Sequence, residues 1–315
     1  MENLIISDEA LTGSIQDKVI LITGVYYLLS MKKGASLIET GGSAGIGRAT
    51  AQLCLDLGAY VVVGDMSTPN PPFQETDKLK FLEVNVIKWE SLRNLFVEAE
   101  KWQGRIDHVF ANAGVSPSED FLDVKLDEAG QLQPPNYRTI DVNFTAVINT
   151  IHLAKAYMTE LGTHKTAGAA SIVLAASASS FQNFTTPDYT ISKHGVLGMI
   201  RGLVGILGEQ VRINAISPSW TNTGIITTYS PLFERIGVAM QSPDVVARSV
   251  VLLFADQQRN GDVIYSWEGH YREVNNQQGG LLEHATGILP NSENEEGAIQ
   301  KLRAYARSRA EQSQQ

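Results

Sequence analysis

One cysteine in 315 residues is too few for a disulfide framework. Cys54 falls on the apolar face of a helical stretch and reads as a small core residue. A chain without disulfides suits a reducing, cytoplasmic setting. Apolar runs stay well short of the ~18 residues of a membrane span. Residues 1–17 are acidic and mostly polar, with an apolar stretch too brief for a secretory signal. The sequons at Asn143 and Asn183 are therefore not expected to carry glycan. Net charge is −9, and Lys and Arg form no long run. Neither nucleic acid nor a membrane surface is expected as a partner. The six histidines are scattered without metal-ligand spacing, so no metal is expected. No repeat and no second domain is visible, and the length suffices to bury one full α/β core.

Short apolar runs alternate with stretches of helical period. Strands are expected at Val19–Thr23, Ala59–Asp65, Leu79–Val84, Arg105–Gly114, Ala170–Ala175, Val211–Ser217 and Asp262–Gly269. Helices are expected from Gly45 to about Leu57 and over Lys88–Trp102, Tyr137–Leu161, Asp188–Gly208 and Pro243–Ala255. This alternation argues for βαβ units in a doubly wound parallel sheet of about seven strands, with helices on both faces. A ligand then belongs at the carboxyl ends of the strands. The domain is expected over residues 15–270, with Thr221–Met240 irregular. Residues 277–315 read as a polar tail, with one helix from Gly297 that lies on the surface or docks at the active site or a subunit contact.

A phosphate cradle is legible but interrupted. Val19–Ile22 is a buried strand closed by Thr23-Gly24, and Ser43-Ala44-Gly45-Ile46-Gly47 opens a helix. Glycines let backbone amides approach a pyrophosphate, and a helix N-terminus supplies free N–H groups and a positive dipole end. Residues 25–41 stand between the two halves. Without them the chain reads VILITGGSAGIGRATA, and Thr40-Gly41-Gly42 repeats the lost junction. The removal of a whole number of codons restores the motif, as expected of a short in-frame retained intron or a gene-model error. If translated, the insert must loop out at the end of the first strand, beside the pyrophosphate site.

Three further clusters fall at expected strand ends. Asp65 ends the second strand, where a carboxylate accepts from adenosine ribose hydroxyls and repels a 2′-phosphate. Ser43, Ala44 and Met66 are not basic, so NAD is favoured and NADP is the less expected cofactor. Asn112-Ala113-Gly114 places small residues after the fourth strand. Tyr189 and Lys193, four apart, share a helix face about a dozen residues after the serines of 177–180. A free tyrosine has pKa ~10, and a nearby ammonium favours the phenolate.

In conjunction, TG…GSAGIG, Asp65, ANAG at 111–114, Asn143 in DVNF, the Ser177 region, YTISK and RINAISPSW resemble the classical short-chain dehydrogenase/reductase family over Ile15–Gly269. The chain is similar to NAD-dependent hydroxyprostaglandin-dehydrogenase-type members and to fungal members acting on secondary metabolites. The resemblance implies a Rossmann-type single domain with Asn143, Ser177, Tyr189 and Lys193 as catalytic residues. Tyr189 would be the general acid/base, Lys193 would lower its pKa and hold the nicotinamide ribose, Ser177 would bond the substrate oxygen, and Asn143 would hold a water linking Lys193 to solvent. Thr23, Gly24, Ser43, Gly45, Ile46, Gly47, Asp65, Asn85, Val86, Asn112, Ala113, Gly114, Pro218 and Thr223 would join Tyr189 and Lys193 in binding cofactor. Asn85 stands where the family usually has an Asp, and Ser219 where it has a Gly. The interval from Ser177 to Tyr189 is one residue short, which keeps Ser179 and Ser180 as rivals for the serine role.

These readings imply an NAD(H)-dependent oxidoreductase acting on a secondary alcohol or ketone of a small apolar molecule, working as a homodimer or homotetramer. Ile225, Ile226, Tyr229, Leu232 and Phe233 after Trp220 would form a substrate lid or an ordinary loop. The interrupted turn motivates the rival reading of a catalytically impaired chain.

Overall fold

The structure is a computed structural model. It describes residues 3–12, 14–26, 39–40, 43–118, 120–162, 170–208, 210–226 and 230–288, with 297–298, 301–302 and 304–305 of the tail. In chain order the elements are α1 (Asp8–Leu11), β1 (Val19–Thr23), β2 (Val25–Tyr26), β3 (Glu39–Thr40), α2 (Gly45–Asp56), β4 (Tyr60–Asp65), β5 (Leu79–Glu83), α3 (Trp89–Gln103) and β6 (His108–Ala111). There follow α4 (Arg138–Ile140), α5 (Ala146–Ala156), β7 (Ala170–Ala175), α6 (Pro187–Leu207), β8 (Val211–Pro218), α7 (Ser230–Ile236), α8 (Pro243–Ala255), β9 (Val263–Trp267), β10 (His270–Glu273) and α9 (Leu281–Gly287).

Among the described residues the main sheet has eight strands in the order β10-β9-β8-β7-β6-β1-β4-β5, parallel except for β10. All five residues of β1 are buried, as expected for a strand covered on both faces. Alternate side chains feed two cores. Leu21 joins Leu95, Val147 and Ile200 on one face, while Ile20 and Ile22 join Cys54, Val250 and Phe254 on the other. Each such large buried side chain contributes about 1.5–3 kcal/mol. Register aligns the carboxyl ends, with Thr23 level with Gly64 on one side and Ala111 on the other. The strand order reverses between β1 and β6, so the switch point opens there.

The sequence reading undercounts the sheet by one strand. Glu268 (φ 43°) and Gly269 (φ 84°) form a two-residue turn with both central φ positive, and β10 returns antiparallel to β9. Glu-Gly is a weaker hairpin signal than Asn-Gly, so a single last strand is the natural reading of the sequence. The compact body also outruns residues 15–270. Leu4 bridges Tyr271, Ile6 and Leu11 are buried, and the Glu273 carboxylate accepts from the N–H groups of Val263, Asn275, Asn276 and Gln277. The expected 137–161 helix is α4 and α5 joined and followed by wider π turns at Asp141–Thr145 and Tyr157–Leu161. Thr221–Met240 is not wholly irregular, since it contains α7.

The insert leaves and re-enters the body side by side, because Val25 pairs with Thr40 and Tyr26 with Glu39 in an antiparallel ribbon. Residues 27–38 and 41–42 lie outside the described residues. Gly24 N–H donates to Gly64 O at 2.6 Å, and Ser43 N–H donates to Asp65 Oδ2 at 2.9 Å, so both ends are tied to β4. Paired strands stand ~5 Å apart, little more than the ~3.8 Å of one peptide step. Deleting residues 25–41 should therefore leave the fold intact and raise the unfolding free energy by on the order of 1–2 kcal/mol, as a closed loop is removed. Chemical denaturation of the shortened protein checks this; a shortened chain that unfolds more easily would show that the insert supports the body.

Candidate active site

At the start of α2, Gly45 has φ +53°. A Cβ built there would lie 3.1 Å from the Thr223 methyl, so both the backbone angle and the space demand glycine. Ala44, the N-cap, supplies no side-chain cap, which leaves the first N–H groups of α2 for an anion. Ile46 is half-buried and Gly47 buried against the core side. Thr23, also buried, donates to Phe110 O at 3.5 Å.

Asp65 is buried at the end of β4. Burial pushes its carboxyl up, while N–H groups of Ser43, Ser67 and Met66 pull it down. Ser43 also donates through Oγ to Ser67 O at 2.8 Å. The two residues expected at the adenine follow β5. The Asn85 Oδ1 accepts from Ile87 N–H at 3.2 Å in a local turn before α3, and Val86 is buried among the core side chains. Neither lines the main cavity.

The catalytic candidates converge at the switch point. Asn143 sits in the first wide turn, fully buried. Its Oδ1 accepts from Val115 N–H at 2.8 Å and its Nδ2 donates to Val115 O at 3.0 Å. Both ends of the expected water-holding side chain are thus engaged with the loop after β6. A Cβ on Gly114 would lie 3.6 Å from Asn143 Oδ1 and 3.9 Å from Lys193 Nζ, so the three meet at that glycine. Lys193, on α6, donates to Ala175 O at 2.8 Å and stands 5.5 Å from the Tyr189 ring centroid. Ser177 caps the short turn at Ala178–Ser180: Ser179 N–H donates to its Oγ, and its own N–H donates to Ser180 Oγ. Ser179 Oγ pairs with Thr190 Oγ1 at 3.2 Å. The hydroxyl that reaches the Tyr189 phenol is that of Ser177.

Electrostatics run against one expectation. Burial pushes the Tyr189 phenol up from 10.0, and the bond to Ser177 offsets this only in part. Burial also lowers the Lys193 ammonium from 10.5 to about 8. Desolvation, not the ammonium, dominates the phenol, because both groups share the same dry enclosure.

Asp188 escaped the sequence reading. Its buried carboxylate accepts from Ser118 N–H through Oδ2 and from Tyr189 N–H through Oδ1, each at 2.8 Å. It stitches the loop after β6 to the first turn of α6. The available signal was an acid one residue after the proline that opens the helix. Gly195 is similar, since a Cβ there would meet the Phe144 ring at 2.4 Å. Its absence lets the Asn143 turn sit against α6.

One cavity of about 550 Å³ joins these parts, within the ordinary range for small-molecule sites. Gly45, Ile46, Asn112, Gly114, Pro218 and Thr223 line it together with Ser177, Tyr189 and Lys193. Ala113 is buried behind it. Phe184, Trp220, Ile225, Ile226, Phe233 and Tyr265 are among the residues of the remaining wall. Leu232 is not part of it, and Tyr229 lies outside the described residues. No helix among the described residues is long and apolar enough to cross a membrane.

A family model described as short chain dehydrogenase matches residues 36–231. Its match begins inside the insert, whereas the buried strand that leads into the glycine turn is β1. The short-chain dehydrogenase/reductase ascJ of Acremonium egyptiacum is 43% identical over 249 residues, covering 78% of this chain and 82% of that protein. The short-chain dehydrogenase/reductase ATR7 of Stachybotrys chlorohalonatus is 34% identical over 223 residues, 69% of this chain and 65% of that protein. Among solved structures, the crystal structure of gox2181 has a similar fold, with TM-score 0.62 and 18% identity over 82% of this chain and 96% of that one.

The buried lysine makes a pH-dependent prediction. Below about pH 8 folding carries the full cost of burying the Lys193 ammonium; between 8 and 10.5 only the unfolded chain is protonated, and the cost fades as pH rises. Lys193→Met should stabilise the protein near neutral pH by up to about 3 kcal/mol, and the gain should shrink toward pH 10.5. Paired urea melts across that range check it; a gain independent of pH would refute the assignment of the cost to the ammonium.

Proposed function

The chain belongs to the short-chain dehydrogenase/reductase family, an oxidoreductase family using a nicotinamide cofactor, and we propose that it interconverts a secondary alcohol and a ketone with NAD(H). The observation that carries this reading is the shared cavity in which Ser177, Tyr189 and Lys193 face the glycine turn. The residues fit such a cofactor. Gly45 leaves backbone room that a Cβ would fill, uncapped N–H groups of α2 suit a pyrophosphate, and Asp65 offers a carboxylate at a strand end. That carboxylate, with no basic residue at Ser43, Ala44 or Met66, favours NAD over NADP. When bound, the nicotinamide supplies the acceptance or delivery of hydride.

The remaining chemistry belongs to the chain. With its phenol pushed up, Tyr189 holds its proton at neutral pH and is set to donate it to a carbonyl oxygen as the ketone is reduced. In the reverse direction it takes the alcohol proton, and this requires the phenolate. Ser177 Oγ accepts from Ser179 N–H and its hydroxyl bonds the Tyr189 phenol, so the two hydroxyls together steer the substrate oxygen. Lys193, protonated below about pH 8, stabilises the phenolate as it forms. Asn143 and Asp188 act as positioning residues that fix the loop after β6 against α6. The half-exposed Ile148 and Ile191 on α5 and α6 support assembly through these helices into a homodimer or homotetramer. The pairing across the insert supports a competent cofactor turn over an impaired one.

Tyr189→Phe should lower kcat by at least about a thousandfold while leaving NAD affinity within about threefold, measured by NADH formation and calorimetry. Retained turnover would remove Tyr189 from its role. For the unaltered protein, kcat/KM for alcohol oxidation should rise with pH above neutrality and that for ketone reduction should fall, because the phenol is pushed up. A pH-independent pair of profiles would contradict this assignment.

A further inference from the structure

The cavity wall that remains after the cofactor and catalytic residues are assigned has a chemical character of its own. Three rings from three separate segments meet there. Phe184 from the loop before α6 sets its edge on Trp220 from the segment after β8, at 5.8 Å and 80°. Trp220 in turn meets Phe233 of α7 at 4.8 Å and 58°. Trp220 is nevertheless 38% exposed. A large indole clamped by two rings and still open on the cavity is a rigid recognition surface, since little side-chain freedom is lost when a ligand meets it.

Charge is the second observation. Among the described residues lining the cavity, Lys193 is the only one bearing a formal charge, and its ammonium donates to Ala175 O beside Tyr189. The other polar lining groups, such as Gln182, Thr186 and Thr221, are neutral. A carboxylate or phosphate entering this wall would lose its hydration without gaining a counter-charge.

We propose that the substrate is an uncharged molecule whose alcohol or ketone is borne on, or next to, a flat unsaturated ring, with Trp220 as the residue that selects for the ring. The inference rests on the oxidoreductase reading above. Rings favour one another in edge and offset arrangements beyond their buried area, so a flat π surface gains at this wall what a saturated ring of the same size does not. Phe184 and Phe233 act through Trp220 by holding its plane.

The test uses the full chain with NAD and three probes: naphthyl methyl carbinol, its fully saturated decalinyl analogue, and the naphthyl carbinol bearing a ring carboxylate. The expected kcat/KM for the naphthyl carbinol exceeds that of each of the other two by at least about tenfold. Trp220→Leu should bring the naphthyl-to-decalinyl ratio to within about twofold. Phe184→Leu should reduce it part of the way, and it carries the test if the tryptophan variant does not fold. Equal or better use of the decalinyl or carboxylate probe, or a ratio unchanged by both substitutions, overturns the proposal. Calorimetry with naphthyl and decalinyl methyl ketones separates the two readings. Ring-selective binding without turnover defeats the oxidoreductase reading and leaves this one standing. Turnover without ring preference does the reverse, and neither binding nor turnover overturns this inference.

Discussion

The site depends on one backbone constraint: the glycine turn must close between the end of β1 and the start of α2. A left-handed Gly45, with no room for a Cβ beside the Thr223 methyl, sets the turn. Two hydrogen bonds to β4, from Gly24 and Ser43, hold its halves. An insertion at this point would normally separate them. Here antiparallel pairing at Val25–Thr40 returns the chain to the place it left, so the extra length costs loop entropy rather than geometry. Asp65 consequently has two jobs, anchoring Ser43 and offering a carboxylate at the strand end.

A second constraint is dryness. Burial raises the Tyr189 phenol and lowers the Lys193 ammonium, so the charged form of each group is disfavoured in the free site. The other polar groups of the cavity, such as Asn112, Gln182, Thr186 and Thr221, are neutral, and its outer wall carries Phe184, Trp220 and Phe233. The same desolvation that makes the site costly to fold makes its hydrogen bonds strong when a carbonyl oxygen arrives. Asn143 and Asp188, both buried, keep that enclosure rigid by binding backbone groups of the loop after β6.

Much of this was readable from residues alone. β1, β4, α2 and α8 follow from unbroken apolar runs or helical period, because an element covered by core advertises its burial in composition. The short antiparallel β10 was not, since Glu268-Gly269 is a poor hairpin signal and four residues show little period. Tyr189, Lys193 and the serines were found by spacing. Asn85 was placed by analogy at an adenine, and its side-chain oxygen accepts from Ile87 N–H in a local turn. The family match itself begins at Ser36, while tertiary burial selects Val19–Thr23 as the strand that leads into the turn.

By itself the sequence determined the α/β class, the candidates for the chemistry-bearing residues and the place of the interruption, because each is carried by local pattern or by a fixed interval along one helix. Only the tertiary structure decided which serine reaches the phenol, how the insert is pinned, and which way the two titrating groups are shifted. Those depend on contacts between segments distant in the chain and on exclusion of water, which are properties of an enclosed volume and have no period in the sequence.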